Sequence, residues 1–399
     1  MRGGTKYFIG YDRPADGPAD GNSRNSNDAR WNMSDASAAT GTEQQRPANW
    51  GRGAYEQFIE TEGVPIHTGV AVADLRTAEV GRWARLDAKG AYIRLLGAED
   101  TDNGYLIELD PGKSSAPEKH LFEEYFFVLT GRGTCEVWNE GEAPSSFEWQ
   151  EGSLFSVPLN TLHRLHNGSG SLPARLLAVT TMPIMMNLIH NTEFIFGADY
   201  RFRDRYDGRK EYFDGAGTLY TGRVWETNFV ADIRRFQLRD WHERGAGSKN
   251  IRFEFANNTM VSHVSEFPVG TYKKGHRHGP GYHVIMLSGT GYSLMWPQGA
   301  KEMTEVQWKV GTLFVPPGLW WHQHFVTGNE PARYLAIRWG GNKWKLAQYL
   351  DNQGVDKDVT QGGNQIEYED QDPQIHRTYL ERCAANGVPV KMDAFKVRV

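Results

Sequence analysis

The chain has 399 residues, is 39% hydrophobic and 23% charged, carries a formal net charge of -5 and holds two cysteines, Cys135 and Cys383. That length exceeds what one compact core fills, so two domains of ordinary size are expected. The mild acidity gives no reason to expect a nucleic-acid partner, two isolated cysteines argue against a disulfide framework, and the lack of any run of about 18 apolar residues excludes a membrane-spanning helix.

Residues 1–63 read as an N-terminal arm. The stretch from Pro14 to Asp28 is polar and rich in Gly, Pro, Asn and Asp, too poor in apolar groups to order itself, so the arm is expected to be partly irregular and free to wrap on a partner subunit. It lacks the apolar segment of a secretion signal, which together with the scarce cysteine leads to the expectation of a cytoplasmic protein. A first helix is expected over Tyr55–Glu62, just before a domain spanning 64–185.

That domain reads as strands. Tyr125-Phe-Phe-Val-Leu129 is a short apolar run closed by Thr-Gly-Arg-Gly, and similar Gly-bounded runs recur about every ten residues, the pattern of an antiparallel barrel or sandwich. Aromatic residues mixed with charges fill a linker over 186–221, which reads as packed irregular structure. A second domain over 222–345 repeats the first. Val72-Ala-Asp-Leu-Arg76 returns as Val230-Ala-Asp-Ile-Arg234, Leu129-Thr-Gly131 as Leu287-Ser-Gly289, and Gly152-Ser-Leu-Phe155 as Gly311-Thr-Leu-Phe314. Matches at a nearly constant offset mean one duplicated domain. The tail, 346–399, carries a helix that opens with Asp372 as N-cap and Pro373 at its first position and ends before Gly387.

Five of the 13 histidines, His276, His278, His283, His322 and His324, crowd into 49 residues of the second copy. Side chains at i and i+2 of a strand share a face, so His276 and His278 point together, and His322 on a neighbouring strand completes a three-imidazole set. Three neutral nitrogens on one side of an ion leave the other positions open, which suits a catalytic divalent metal rather than a closed structural zinc. His324 lies two residues past His322 and is expected to share its face, where it and Tyr282 are the candidate proton-transfer groups; His283 is expected to face the other way. Arg338 is the candidate clamp for a substrate carboxylate, with pairing to an internal acid as the other reading. Arg333 matches Arg175 of the first copy and is read as structural. Trp296 and Trp321 are candidate substrate contacts or fillers of a barrel end. Lys273-Lys274 reads as a solvated turn. Gly289-Thr-Gly lacks the third glycine and the helix of a dinucleotide fingerprint and reads as a hairpin turn.

Gly270-(x5)-His276-x-His278 with Gly289, followed by Gly311-(x5)-Pro317-(x4)-His322, resembles the two motifs of the cupin superfamily, and the duplication resembles a bicupin over roughly 64–345. The resemblance implies an all-β fold with a few peripheral helices, two tandem cupin barrels of the double-stranded β-helix or jelly-roll kind, pairing of subunits into a homo-oligomer, and a small-molecule substrate. The usual glutamate four residues after the second histidine is Tyr282 here. The glutamate-free set is similar to that of gentisate and 1-hydroxy-2-naphthoate dioxygenases. This implies Fe(II) on His276, His278 and His322, with O2 as co-substrate, opening the ring of a small hydroxylated aromatic acid; Mn, Ni, Cu and Zn tolerate the same ligands. The alternative is a redox-neutral, metal-dependent lyase, hydratase, decarboxylase or isomerase, and a further one is a non-catalytic binding protein. In the first copy the motif positions carry Glu118, His120, Glu124 and His163. Glutamate replaces the first histidine, so this site reads as eroded, although His120, Glu124 and His163 still make a two-histidine, one-carboxylate set.

Overall fold

The computed structural model describes residues 45–98, 101–341, 343–344 and 354–398. Most of the N-terminal arm, 1–44, and the start of the tail thus lie outside the described residues. The chain divides into two units, Met1–Trp50 and Gly51–Val399. Of the first, a turn is described in which the Trp50 amide donates to the Pro47 carbonyl (3.0 Å).

The second unit is built from two similar pairs of sheets. In the first barrel the larger sheet runs, in spatial order, Ile66–Gly69, Ala88–Leu95, Asn103–Leu109, Ala174–Thr180, Glu124–Thr130 and Leu154–Ser156. Its smaller sheet comprises Leu162–Asn167, Arg132–Trp138 and Ser145–Gln150. In the second barrel the matching larger sheet includes Lys249–Phe255, Val261–Phe267, Ala332–Arg338, His283–Ser288 and Leu313–Phe314. The matching smaller sheet holds Thr304–Trp308, Gly291–Trp296, Trp321–Val326 and Gly275–His276. The fold is therefore all-β with peripheral helices, as the strand patterning predicts.

Strand parity explains the continuous apolar runs. Tyr125, Phe127 and Leu129 join one cluster with Ile285, Leu287, Leu335 and Ile337 of the second barrel, whereas Phe126 and Val128 face the interior of the first and Val284 and Met286 that of the second. Strands buried on both faces need apolar side chains at every position rather than at alternate ones. The two large sheets thus stack face to face. Tyr125 marks the seam: its hydroxyl donates to the Met260 carbonyl (2.8 Å) and accepts from the Phe255 amide (3.2 Å).

The repeated leader segments are exchanged between barrels. Ala71–Val72 pairs with Leu313–Phe314 of the second barrel, and Phe229–Val230 pairs with Leu154–Phe155 of the first. The lock is reciprocal down to single bonds: the Leu75 amide donates to the Gly311 carbonyl and the Ile233 amide to that of Gly152, both at 2.8 Å.

The helices are Ala54–Thr61, Met182–Ile189, Thr192–Gly197 and Pro373–Ala385. The last opens as its sequence predicts, with the Asp372 carboxylate accepting from the Gln374 amide (2.8 Å), and packs Ile375, Tyr379 and Cys383 against Tyr272, Tyr292 and Phe325 on the outside of the second barrel. The two helices at the start of the expected linker are too short to show a clear period, so the sequence reads them as irregular. No helix among the described residues is long and apolar enough to cross a membrane.

Candidate active site

Each imidazole of the second-barrel set is placed by a strand or the loop that follows it, and two are fixed by backbone carbonyls. His276 pairs in register with His322 across two antiparallel strands. Nδ1 of His276 lies 3.1 Å from the Lys274 carbonyl, and Nδ1 of His322 lies 3.1 Å from that of Trp320. A carbonyl only accepts, so Nδ1 carries the hydrogen in both rings and Nε2 is left with its lone pair. Ligand nitrogens of His276, His278 and His322 all lie within 4.8 Å of one another. Burial drives all three below the usual imidazole range, His322 to about 4 and the other two well below it. Three neutral nitrogens converging on one point, those of His276 and His322 buried and that of His278 half-buried, form a ready donor set for a divalent cation, which fits the group that the sequence motif implies.

The remaining walls belong to the same interior face. His263, Tyr282, Val284, His324, Tyr334 and Ala336 line a cavity of about 40 Å³ that opens on the three ligands. Nδ1 of His324 lies 2.7 Å from the Ser293 hydroxyl, which also accepts from Nε1 of Trp308 (3.0 Å). This contact fixes the orientation of the His324 ring, with Nε2 on its other side. The structure therefore brings His276, His278, His322, His324 and Tyr282 together around one space. His283 is turned away by parity and buried at the seam, its Nδ1 at 3.6 Å from the Asp102 carboxylate.

Three expected substrate contacts need correction. Trp321 precedes His322 on its strand and so points to the opposite face, where its indole donates to Gln298 Oε1 (2.8 Å) and lies under the Arg277 guanidinium. Trp296 pairs with Trp321 in register and shares that outward face; Ser293, three residues earlier, is the one that points inward. Arg338 is on the interior face, but its guanidinium lies 4.8 Å over the Tyr282 ring and donates to the Gly279 carbonyl (3.2 Å). It braces the loop between His278 and Tyr282 from behind the cavity wall. Lys273 is also unlike its expectation: it is fully buried, with Nζ donating to the Tyr334 hydroxyl (3.0 Å).

Sequence reasoning missed the basic residues of the opposite wall, Arg244 and Arg252, with Asn250 beside them. Asn250 and Arg252 alternate on Lys249–Phe255, a periodicity that the sequence does carry. Arg244 ends a short 3-10 turn, His242–Arg244, and no spacing rule points to it.

The first barrel repeats the arrangement with carboxylates. Glu118 pairs with His163 as His276 does with His322, which makes it the positional equivalent of the replaced histidine. One ligand atom each from Glu118, His120 and His163 lie within 4.8 Å of one another. Glu124 Oε2 sits 3.4 Å from Nε2 of His120 and 3.7 Å from Nε2 of His163. His120 gives its Nδ1 hydrogen to the Phe122 carbonyl (2.8 Å), and the Tyr105 hydroxyl takes Glu124 Oε1. His120 Nε2 and Glu124 Oε2 are left buried, facing each other without a hydrogen-bond partner. Two facing lone pairs require a positive charge between them, a proton or a metal ion. Burial alone would raise the Glu118 carboxyl, but the Arg85 guanidinium and the two imidazoles outweigh it and hold it below its ordinary range. The residues that read as an eroded set in the sequence thus lie together, with carboxylates among the imidazoles.

The family model for the cupin domain matches residues 105–180. These residues thus form a cupin domain. An uncharacterized protein of Streptomyces coelicolor, SCO3923, is 31% identical over 94 residues, 24% of this chain and 82% of that protein. Among solved cupins, oxalate decarboxylase from Bacillus subtilis at pH 4.6 is similar at 15% identity and a TM-score of 0.46, covering 68% of this chain and 76% of that one. A tryptophan-to-tyrosine variant of the same decarboxylase is similar at 14% identity and 0.47, covering 68% and 78%. Likeness at this level bears on neither substrate nor reaction, since cupin barrels carry function in their sites.

Proposed function

We propose that this cupin is a metal-dependent enzyme whose catalytic ion is held by His276, His278 and His322, and that it transforms a small oxygen-bearing substrate by redox-neutral chemistry of the lyase, hydratase, decarboxylase or isomerase kind. The observation that carries the reading is the pairing of three convergent neutral imidazoles with a cavity of only about 40 Å³. A bound divalent ion would supply Lewis acidity, polarising a carbonyl or acidifying water. The chain itself supplies the proton chemistry. His324, tied to Ser293 through Nδ1, is oriented to hold or deliver a proton at Nε2, and Tyr282 offers a hydroxyl on the adjoining wall. Burial keeps the imidazoles neutral.

Ring opening by Fe(II) and O2 is the second reading, favoured by Tyr282 in place of a ligand glutamate, which leaves the ion's charge at +2. Against it stands size. The cavity is about a quarter of the roughly 150 Å³ that takes up one benzene, before any room is found for dioxygen. Within the same proposal Glu118, His120, Glu124 and His163 hold a second ion in the first barrel.

The test is metal content followed by turnover. Protein purified without chelators is expected to hold about two divalent ions per chain, one lost in His276→Ala and the other in His120→Ala. Turnover of short hydroxy- and oxo-acids, screened with Mn(II), Fe(II) and Zn(II), is expected to persist under anaerobic conditions. His324→Gln is expected to keep its metal and lose about 10²- to 10⁴-fold in kcat, the usual reach of a positioned acid or base. Strict dependence on O2 with an aromatic acid would replace this reading with the ring-opening one. No metal in the second barrel would end both.

A further inference from the structure

The wall facing the three imidazoles is cationic and under-neutralised. Arg244 is 1% exposed, and its Nη2 donates to Asp356 Oδ1 (2.8 Å). The other Asp356 oxygen accepts from Nε1 of Trp241 (3.2 Å). Nε and Nη1 of Arg244 are buried with no hydrogen-bond partner among the described residues. Beside them, Oδ1 of Asn250 is also buried and unpartnered, and Arg252 adds a second guanidinium to the cavity lining. Behind the Tyr334 ring, which lines the same cavity, lies the buried ammonium-bearing chain of Lys273. Among the described residues that line this cavity none is an aspartate or glutamate.

A buried guanidinium with free N–H groups is costly unless an acceptor meets them, and it costs more beside a divalent cation. A wall of this kind is built for a negatively charged ligand that arrives from solution, since charge-assisted N–H···O⁻ bonds are the strong ones and arginine's fork suits carboxylates. The space beside it admits only a few non-hydrogen atoms.

We infer that the substrate of the second-barrel site is a short carboxylate, of one to three carbons, whose carboxyl oxygens are taken up by the unpartnered Nε and Nη1 of Arg244, with Arg252 beside them, while its reacting end faces the three histidines. This rests on the metal centre proposed above. Arg244, rather than the motif-proximal Arg338, is then the residue that selects the acid. A neutral molecule of the same size offers those N–H groups no charged pair of acceptor oxygens and is discriminated against.

The experiment uses the full-length protein loaded with Mn(II). Formate, glycolate and malonate are titrated calorimetrically, with glycolamide as the neutral counterpart of glycolate. At least one acid is expected to bind, glycolamide about tenfold or more weaker than glycolate. Arg252→Gln is expected to weaken the acid by about three- to tenfold and Arg244→Gln by about tenfold or more, both with metal content at the wild-type level. Arg244→Lys, which keeps the charge and loses the fork, is expected to fall between. Should Arg244→Gln fail to fold, the Arg252→Gln and glycolamide arms still decide. Metal-replete protein that binds none of the acids, binds acid and amide equally, or binds acid unchanged in the arginine variants overturns the inference. Absence of metal would overturn the catalytic reading instead, so the two failures are distinct.

Discussion

At the scale of single residues, neutrality of the imidazoles has a consequence for stability. In protein stripped of metal by a chelator, burial holds His322 at about 4 and His263, His276, His278 and His324 well below the ordinary 6.5. The unfolded chain protonates these rings near 6.5, whereas the folded chain resists. Between pH 6.5 and 4 the unfolded state therefore binds more protons, and stability, full above 6.5, is lost as pH falls. His322 alone costs about 2 kcal/mol at pH 5, some 1.5 units below its unfolded value. The urea midpoint of the metal-free protein is expected to drop between pH 7.5 and pH 5. An unchanged or higher midpoint at pH 5 would mean that these rings are charged in the fold.

The ligand histidines were legible because their signal is local: i, i+2 spacing and a loop of fixed length specify one facial set. The opposite wall was not. Arg244 is held in place by Asp356, 112 residues away, and Lys273 sits in a Tyr-Lys-Lys-Gly stretch whose composition is that of an exposed turn. Trp296 and Trp321 were misassigned by residue type, although counting from His322 already put Trp321 on the other face. Glu118 reads as erosion because a carboxylate stands where an imidazole is expected; the motif already puts it at that position, and the pairing with His163 shows that it lies beside the other two ligands.

At the scale of elements, the exchanged leaders explain why two glycines recur at the same place in each copy. Gly311 has φ of +89° and Gly152 of +90°, and a Cβ at either would sit well inside van der Waals contact with an oxygen of Asp74 or Asp232 respectively. Each aspartate in turn holds Arg76 or Arg234 (Nε to Oδ1 2.9 Å in both). The repeat Gly-x-Leu-Phe was readable as a turn, but its partner strand was not, because Leu313 meets Val72 across 241 positions of sequence. Gly311→Ala meets both the left-handed strain and the clash, so it is expected to cost about 2–4 kcal/mol. Gly299 has φ of +81° with nothing within 4 Å of a Cβ, so Gly299→Ala is expected to cost about 1 kcal/mol. Urea midpoints of the two variants measure the difference. Equal effects would show that the leader yields freely and does not clamp the barrel.

At the scale of the whole molecule, duplication has produced two barrels that do not close separately. Each large sheet presents an apolar face to the other, and one continuous cluster holds Ile93, Leu106, Phe127 and Leu177 of the first together with Phe253, Val264, Ile285 and Leu335 of the second. Exposing a large apolar side chain costs roughly 1.5–3 kcal/mol, so uncovering even a handful is comparable to the roughly 5–15 kcal/mol net stability of a typical domain. Loss of Ala71–Val72 from the edge of Leu313–Phe314, and of Phe229–Val230 from Leu154–Phe155, adds unpaired strand edges to that exposure. Fragments 45–221 and 222–399, each carrying a complete set of its own metal ligands but the wrong leader, are therefore expected to be aggregated or without a cooperative urea transition when made alone. Co-expressed, they are expected to assemble one to one and recover both metal sites, because the leader strands are exchanged by non-covalent pairing and need no intact linker. A fragment 222–399 that is monomeric, cooperative and metal-loaded on its own would show that the ligand geometry of the second barrel does not depend on the first, and that the exchange is decoration on two independent folds.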